Sequence, residues 1–285
     1  MKRKRRKSSA YDVWRRLKKN RLAVVALFVL ILLVLVAILA PVISPYPYEQ
    51  QNSKHTYETS SSQFLLGTDK LGRDVLSRLI YGSRQSLSMG AIAVAIAAVI
   101  GVTIGAVAGF YGGWADNLSM RFLDIYQSIP VFLLCVTLAA ILGPSLRNAI
   151  IALGISTIPI YARITRATVL TVREKEYVEA ARAVNARVPR LIMRHIIPNC
   201  MAPIIVEITM GMGGAILAGS ALSFIGLGVQ PPVPEWGAMI SDARSVMREH
   251  PTLALYPGLC VMLTVLSFNL LGDGLRDALD PRLKN

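Results

Sequence analysis

Long apolar stretches separated by charged connections dominate this chain, and each stretch is close to the length that a helix needs to cross a lipid bilayer. The first stretch, residues 22–43, has 22 positions without a charged residue. About 20 apolar residues cross the hydrocarbon core as a helix, which satisfies its own backbone hydrogen bonds there. Further spans are predicted over about 86–110, 123–142, 146–165, 201–228 and 253–272. We therefore expect an all-α membrane protein with six transmembrane helices.

Proline occurs inside the third and fourth predicted spans, where it removes a helical hydrogen bond. The third span includes Pro130. The fourth has only 15 uncharged residues between Arg147 and Arg163, and Pro159 is a candidate kink within it. The fourth span therefore has the weakest pattern of the six.

The first 21 residues are strongly basic and begin MKRKRRK. We expect a flexible start, followed by a short basic helix at the membrane surface from about Tyr11. A cleaved signal peptide is the alternative. A signal core has about 7–15 apolar residues, fewer than residues 22–43 provide, so an uncleaved first span is favoured.

The longest polar connection between spans covers residues 44–84. It starts with a Pro- and Ser-rich segment, which favours extended structure. An amphipathic helix is predicted after it, with apolar positions at Val75, Leu76, Leu79 and Ile80. The polar positions on its other side are Arg73, Asp74, Ser77 and Arg78. We expect this helix to lie along the membrane face.

Residues 171–200 form the longest charged run inside the apolar part of the chain, and their pattern predicts two short helices. An apolar stripe on the first helix consists of Tyr177, Ala180, Ala181 and Val184. Asn185 suits the left-handed residue that ends this helix, Pro189 suits the first turn of the next one, and Pro198 marks the next break. Such a hairpin favours docking to another protein, and a solvated loop is the alternative.

The formal net charge of +14 raises the question of nucleic acid binding, but the distribution of the charge argues against it. Of the 31 Lys and Arg residues, 11 lie within residues 1–21, directly before a span. With six spans and a cytoplasmic N-terminus, 23 basic residues lie on the cytoplasmic side and 8 outside, which follows the positive-inside rule. We expect both termini in the cytoplasm and no nucleic acid partner.

The sequence contains few candidates for covalent or metal chemistry. Neither the three scattered cysteines, Cys135, Cys200 and Cys260, nor the three histidines have the spacing of a metal site or a disulfide framework. The dipeptide Gly-Lys does not occur, so the chain has no phosphate-binding P-loop for ATP. No enzymatic activity is expected of this chain.

Two features within the spans stand out. One is a face of small residues that predicts close helix packing, formed by Gly101, Gly105 and Gly109. The other is Glu207, a pore or intramembrane candidate, because an acidic group at membrane depth needs a partner or water. Arg163 or Arg166 is its expected partner, and a position close enough to the surface to stay hydrated is the alternative.

The charged hairpin resembles the EAA loop of ABC-importer permeases. The resemblance rests on Glu179-Ala180-Ala181, on Asn185 and on Ile196-Ile197-Pro198. That family has Gly where this chain has Asn185, and Asn also tolerates the left-handed conformation. In that family the loop docks into a cleft of a cytoplasmic ATPase. The resemblance implies a coupling site made of Tyr177, Glu179, Ala180, Ala181, Asn185, Arg187 and Pro198.

A second motif is similar to a signature of the bacterial dipeptide, oligopeptide and nickel permeases. Its role is open, and it includes Gly67, Asp69, Gly72, Arg73, Asp74 and Arg78. The segments Ser223–Gly228 and Glu235-Trp236-Gly237 resemble the same subfamily. Related chains often have an acidic residue where this one has Gly219.

These resemblances imply a permease subunit with the transmembrane fold of a type I ABC importer, in the bacterial inner membrane. They imply a pore shared with a second, related permease, two cytoplasmic ATPases that bind ATP and Mg, and an extracytoplasmic binding protein. This chain itself would bind no cofactor. The implied solute is a short peptide, with a nickel complex or glutathione as alternatives.

The predicted organisation has five parts. These are a basic tail over 1–21, the first span over 22–43, an outer loop over 44–84, an importer domain over 85–273 with its coupling loop at 166–200, and a cytoplasmic tail over 274–285. The rival hypothesis is a passive channel or a membrane scaffold. A channel should carry a ring of like residues at its filter, and no such string is visible.

Overall fold

The computed structural model describes residues 9–183 and 186–280, and its regular secondary structure in these ranges is helical, with no β-strand. In chain order the helices are α1 (Ser9–Leu17), α2 (Arg21–Ile43), α3 (Val75–Tyr111), α4 (Gly113–Gln127), α5 (Val131–Leu142), α6 (Leu146–Val172), α7 (Glu176–Ala183), α8 (Val188–Leu191), α9 (Ile197–Phe224), α10 (Trp236–Ala243) and α11 (Thr252–Leu279). Among these, α2, α3, α6, the run from α8 through α9, and α11 are long and apolar enough to cross a membrane. The expected all-α membrane fold is confirmed.

The third predicted span, residues 123–142, is not one straight helix. α4 and α5 are bent by 80° relative to each other, and they make a sixth span only when counted as one broken element. Pro130 lies at the break, with φ −53° and ψ 130°. Proline disfavours helical backbone at the preceding residue and donates no backbone hydrogen bond, so the helix ends there.

The amphipathic helix expected along the membrane face is instead the first part of α3. Asp74 caps α3 by accepting a hydrogen bond from the backbone N–H of Ser77 at 2.7 Å, and the helix then continues to Tyr111 without a break. The polar positions predicted to face outward are buried, with Ser77 at 0% and Arg78 at 3% exposure. The amphipathic pattern was read correctly, but its polar side faces the outer loop of the protein rather than water.

α6 is longer and more regular than expected. It begins after Ser145, whose side chain accepts a hydrogen bond from the backbone N–H of Asn148 at 3.1 Å. It passes through Pro159 without interruption and extends to Val172, beyond the predicted end at 165. Pro159 is buried in this helix, so close packing holds the helical path on both sides of it.

The contact between α3 and α6 runs along three glycines of α3. A Cβ atom added at Gly101, Gly105 or Gly109 would lie 2.6, 2.2 or 3.0 Å from a backbone carbonyl oxygen of α6. Those oxygens belong to residues 158, 162 and 166, which are also four apart. Only residues without a side chain let the two backbones approach this closely, as in small-residue interfaces of membrane helices.

The remaining helices are arranged around this pair. α9 packs against α3 and α6, and α11 packs against α9 and α2. α2 also lies against α3, while α5 lies against α6. At one end, α1 rests on α11 through Leu17 and Ala278, and at the other end α10 covers α9 and α11.

Gly105→Ala tests the backbone contact between α3 and α6. The added methyl group would lie 2.2 Å from the Ala162 oxygen, so the helices must separate, and we expect a loss of about 1–3 kcal/mol in stability. Gly214→Ala is the matched control, since nothing lies within 4 Å of its added Cβ and alanine favours a helix by about 0.5–1 kcal/mol. Thermal unfolding in detergent measures both variants. A Gly105→Ala protein that melts like the wild type would contradict the close contact.

Candidate functional site

The charged hairpin begins with α7 and continues into a single long helical run. Residues 184 and 185 lie outside the described residues, so the predicted role of Asn185 at the turn stays a prediction. α8 follows directly after Arg187, which is exposed. A π-helical turn, Ile192–Ile196, joins α8 to α9.

The predicted break at Pro198 is wrong, because the helix passes through this position. The backbone N–H of Ile197 bonds to the carbonyl of Ile192, five residues back, which is the wider spacing of a π-helix. Pro198 follows this wide turn directly and lies in the first turn of α9, where its missing N–H is tolerated. The proline therefore accompanies a local widening of the helix rather than its end.

The two faces of α7 differ from the predicted stripe. Val178 is fully buried, and Ala181 packs with it against a cluster that includes Val169, Leu191 and Ile196. Tyr177 and Ala180 point the other way and are exposed, with Tyr177 at 44%. Glu176 and Glu179 are also exposed. The outward surface of α7, which we call the hairpin face, therefore consists of Tyr177, Ala180, Glu176 and Glu179.

Three arginines that precede the hairpin, in α6 or directly after it, bind residues of α3 and α4. Arg173 donates a hydrogen bond to the carbonyl of Gly109 near the end of α3 at 2.8 Å. Arg166 donates to both carboxyl oxygens of Asp116 in α4, one of them at 2.6 Å. Arg163 pairs with Asp124, also in α4, at 2.7 Å. These bonds connect α6 with its neighbours immediately before the hairpin.

The expected pairing of Glu207 with Arg163 or Arg166 is therefore wrong, because both arginines bind acids of α4. Glu207 instead lines a cavity of about 330 Å³ between α6, α9 and α11. Arg276 of α11 lines the same cavity. The expected pairing was argued from depth along the span, and depth alone does not give the direction in which a side chain leaves its helix.

At the opposite end, the signature residues form a cluster of buried charge around Asp69. This carboxyl group accepts hydrogen bonds from the backbone N–H of Leu71 at 2.9 Å and of Arg73 at 3.0 Å. It also accepts a bond from Nε of Arg73 at 2.6 Å and lies 3.5 Å from Nε of Arg78. Arg73 and Arg78 are each only 3% exposed, so Asp69 contributes most directly to the compensation of two buried guanidinium groups.

The two signature glycines let the outer loop fold tightly upon itself. Gly67 and Gly72 have φ values of +78° and +68°, a region that favours glycine. A Cβ at Gly67 would lie 2.4 Å from the Glu58 carbonyl oxygen, and one at Gly72 would lie 1.9 Å from that of Asn52. Any side chain at these two positions would therefore push the 52–58 segment away.

The same charges tie this loop to the segment before α11. Arg78 donates to the carbonyls of Tyr48 at 3.4 Å and Pro232 at 3.3 Å. Lys70 pairs with Asp242 at 2.7 Å, and Arg73 lies 3.7 Å from the same acid. We call this assembly, formed by the Asp69 cluster and Asp242, the outer clasp.

Further contacts order the edge of the outer clasp. The ring of Tyr57 stacks on that of His250, with centroids 4.8 Å apart and planes 6° from parallel. The side chain of His55 hydrogen-bonds Glu58, and this bond lowers the pKa of the Glu58 carboxyl group. The outer loop is therefore a folded structure, and its Pro- and Ser-rich composition did not indicate this.

The sequence pattern did not predict a site at Glu235, although this residue belongs to the Glu235-Trp236-Gly237 motif. Its side chain is fully buried and accepts hydrogen bonds from Ser86 at 2.8 Å, Ser220 at 3.2 Å and the backbone N–H of Ala238 at 3.0 Å. These donors lie on α3, α9 and α10. An acidic residue directly before an apolar helix, in the N-cap position, was the available signal.

The neighbours of Glu235 show that this region is closely packed. Nε1 of Trp236 donates to the carbonyl of Leu79 at 3.1 Å. A Cβ at Gly237 would lie 2.2 Å from the carbonyl oxygen of Ser220. At Gly219, a Cβ would lie 2.4 Å from the end of the Met89 side chain, so a larger residue here requires Met89 to move.

Two known protein families match parts of this sequence. Residues 101–285 match the family model described as the binding-protein-dependent transport system inner membrane component. The chain belongs to this family of permeases. Residues 8–59 also match the N-terminal transmembrane domain of oligopeptide transport permease C. The permease is thus a transport subunit of an ABC importer of the dipeptide and oligopeptide type, and not an enzyme.

Individual relatives support the same assignment over nearly the full length. The permease is 46% identical to the dipeptide transport system permease protein DppC of Alkalihalophilus pseudofirmus, over 96% of this chain and 90% of that protein. It is 42% identical to the glutathione transport system permease protein GsiD of Pectobacterium atrosepticum, over 96% of this chain and 91% of that protein.

A solved structure with the same fold is the methionine ABC transporter MetNI in an inward-facing conformation. The TM-score is 0.58 at 17% identity, and the match covers 72% of the permease and 97% of that chain. At this identity the likeness concerns the fold alone. It confirms the transmembrane fold of a type I ABC importer.

Asp69→Ala tests the outer clasp. The change leaves Arg73 and Arg78 buried without their shared acid, and we expect a loss of about 3–5 kcal/mol in stability. Lys70→Ala is the control, since this pair with Asp242 is solvent-exposed and contributes about 0–1 kcal/mol. Thermal unfolding of the purified permease compares the two. Equal melting temperatures for both variants would contradict a structural role of Asp69.

Proposed function

We propose that this permease forms half of a translocation pore for short peptides and shares that pore with a second, related permease. One cytoplasmic ATPase would dock on the hairpin face, a second ATPase would dock on the related permease, and a binding protein would deliver the peptide from outside. The observation that carries this proposal is the hairpin itself, which presents an exposed acidic and apolar face at the end of a helix that runs into the membrane. Membership of the importer family favours this function over a passive channel or a scaffold.

The mechanism follows from how the hairpin is attached. ATP binding would close the two ATPases, and each would carry its hairpin with it. Because Val178 and Ala181 are packed against the ends of α6 and α9, movement of the hairpin would be transmitted to those spans. ATP shifts the equilibrium between inward- and outward-facing pores only if the ATPases hold the hairpin differently in the two states.

Ala180→Trp tests docking at the hairpin face. Ala180 is exposed, so the bulky ring should leave the protein folded and keep the ATPase surface at a distance. We expect loss of the ATPases from the purified assembly and loss of uptake. Glu174→Gln, an exposed change just before α7, is the control and should retain both. Retention of ATPases and full uptake by Ala180→Trp would refute coupling through this face.

The proposed solute is a dipeptide, because relatives with that name match nearly the whole chain. The relatives named for glutathione transport are nearly as similar, so glutathione, a tripeptide, is the second candidate. A nickel complex stays a prediction of the sequence analysis. Uptake of labelled dialanine and of labelled glutathione by vesicles that contain the complete assembly distinguishes the two peptides.

We infer from the distribution of basic residues that both termini lie in the cytoplasm. Single cysteines at Ser60, in the outer loop, and at Arg187, before α8, test this in a chain whose own cysteines are replaced by serine. Both positions are exposed. An impermeant thiol reagent should label Ser60→Cys in intact cells and should label Arg187→Cys only after lysis. The opposite labelling would overturn the orientation.

A further inference from the structure

One face of α9 is loosely packed against its neighbouring helices. Gly213 faces α11, where a Cβ would lie 3.4 Å from Phe268, and Gly219 faces Met89 of α3. Gly211 faces Tyr161 of α6. Gly214, by contrast, would meet nothing within 4 Å. With 3.6 residues per turn, Gly214 shares a face with positions 203, 207 and 217, which we call the open face of α9.

Two cavities lie along this open face, at successive positions along the helix axis. The first is the cavity of about 330 Å³ that contains Glu207, Pro203 and Arg276. The second, of about 200 Å³, is lined by Gly214 and by residues of α5 and α6, including Phe132 and Thr157. The only ionisable side chain in the wall of the second cavity is the thiol of Cys135, whereas the first has opposite charges in its wall.

Three charged residues, Glu207, Arg276 and Asp280, line the first cavity, and no salt bridge joins Glu207 to Arg276. Within the described residues, Glu207 makes no hydrogen bond or ion pair, and no salt bridge of up to 4.0 Å joins it to Arg276. Asp280 lies at the same wall, and its backbone carbonyl accepts a hydrogen bond from Arg16 at 3.3 Å. An acidic group that faces a membrane cavity without a partner marks a functional position.

We propose that this cavity is a transient binding site for the two charged ends of a zwitterionic peptide. The peptide ammonium group would bind the carboxyl oxygens of Glu207, and the peptide carboxylate would bind the guanidinium group of Arg276, which suits a two-pronged contact. The inference rests on the proposed import of peptides. The volume falls within the range of small-molecule sites, about 300–1,000 Å³.

Such a site binds weakly, because a solute that passes through a pore must also leave it. Short peptides differ in their side chains but share a charged ammonium group and a charged carboxylate at their ends. A site that contacts only these termini therefore accepts many sequences. Glu207 and Arg276 would therefore be specificity residues for free termini. The same chemistry, an ammonium group beside an anion, also occurs in the headgroup of phosphatidylethanolamine.

The test uses the complete assembly with Ala202→Cys, a position in the cavity wall, in a permease whose native cysteines are replaced by serine. Dialanine should slow labelling of this cysteine, about threefold at a concentration of twice the dissociation constant. N-acetyl-dialanine should not protect it. Glu207→Gln should abolish the protection and Glu207→Asp should retain it. Asp277→Asn, a change of an exposed acid outside the cavity, is the matched control.

Three outcomes would overturn the site. The first is equal protection by dialanine and N-acetyl-dialanine, and the second is unchanged protection in Glu207→Gln. The third concerns lipid: slower labelling without peptide in phosphatidylethanolamine nanodiscs than in phosphatidylglycerol nanodiscs would assign the cavity to a lipid headgroup. Dialanine uptake by the unmodified assembly separates the hypotheses, since uptake without protection refutes only this site, whereas no uptake refutes the proposed peptide import.

Discussion

The membrane helices of this permease are arranged around the backbone contact between α3 and α6. Three glycines of one helix lie against three carbonyl oxygens of the other, at a separation that a Cβ at Gly101 or Gly105 would prevent and one at Gly109 would strain. In a bilayer the hydrophobic effect does not hold helices together, so close packing of backbones must supply that stability. The pair forms a rigid centre, and α2, α5, α9 and α11 are placed relative to it.

The two ends of this centre differ in how they are stabilised. At the outer end, charge is buried: Asp69 holds two guanidinium groups, and Glu235 joins three helices through hydrogen bonds. At the hairpin end, charge is mostly exposed, and the arginines of α6 bind α4 and the end of α3. Buried charge is costly to separate. The end that carries the clasp therefore resists rearrangement, whereas the hairpin face is exposed.

The sequence predicted the spans well because hydropathy and length suffice for that purpose. It failed where the outcome depended on which surface covers a polar residue. Ser77 and Arg78 have the pattern of a solvated helix face, yet the folded outer loop covers them. Ala181 was placed on an outward stripe, yet it turns inward with Val178. For Glu207, the two arginines expected as partners bind acids of α4 instead. Hydrophobic periodicity does not show that residues so distant in the sequence lie close together in the fold.

The π-helical turn before Pro198 has a mechanical consequence. Because the chain stays helical from Val188 to Phe224, it forms a rod of about 55 Å at 1.5 Å per residue. The far end of this rod is fixed to α10, where Ser241 donates to the carbonyl of Phe224 at 2.7 Å. A rod transmits a tilt over its full length, whereas a loop would absorb it. The wide turn and Pro203, which donates no helical hydrogen bond, are segments of this rod with altered bonding. The stiffness of these segments would decide how much of a movement of the hairpin reaches the far end.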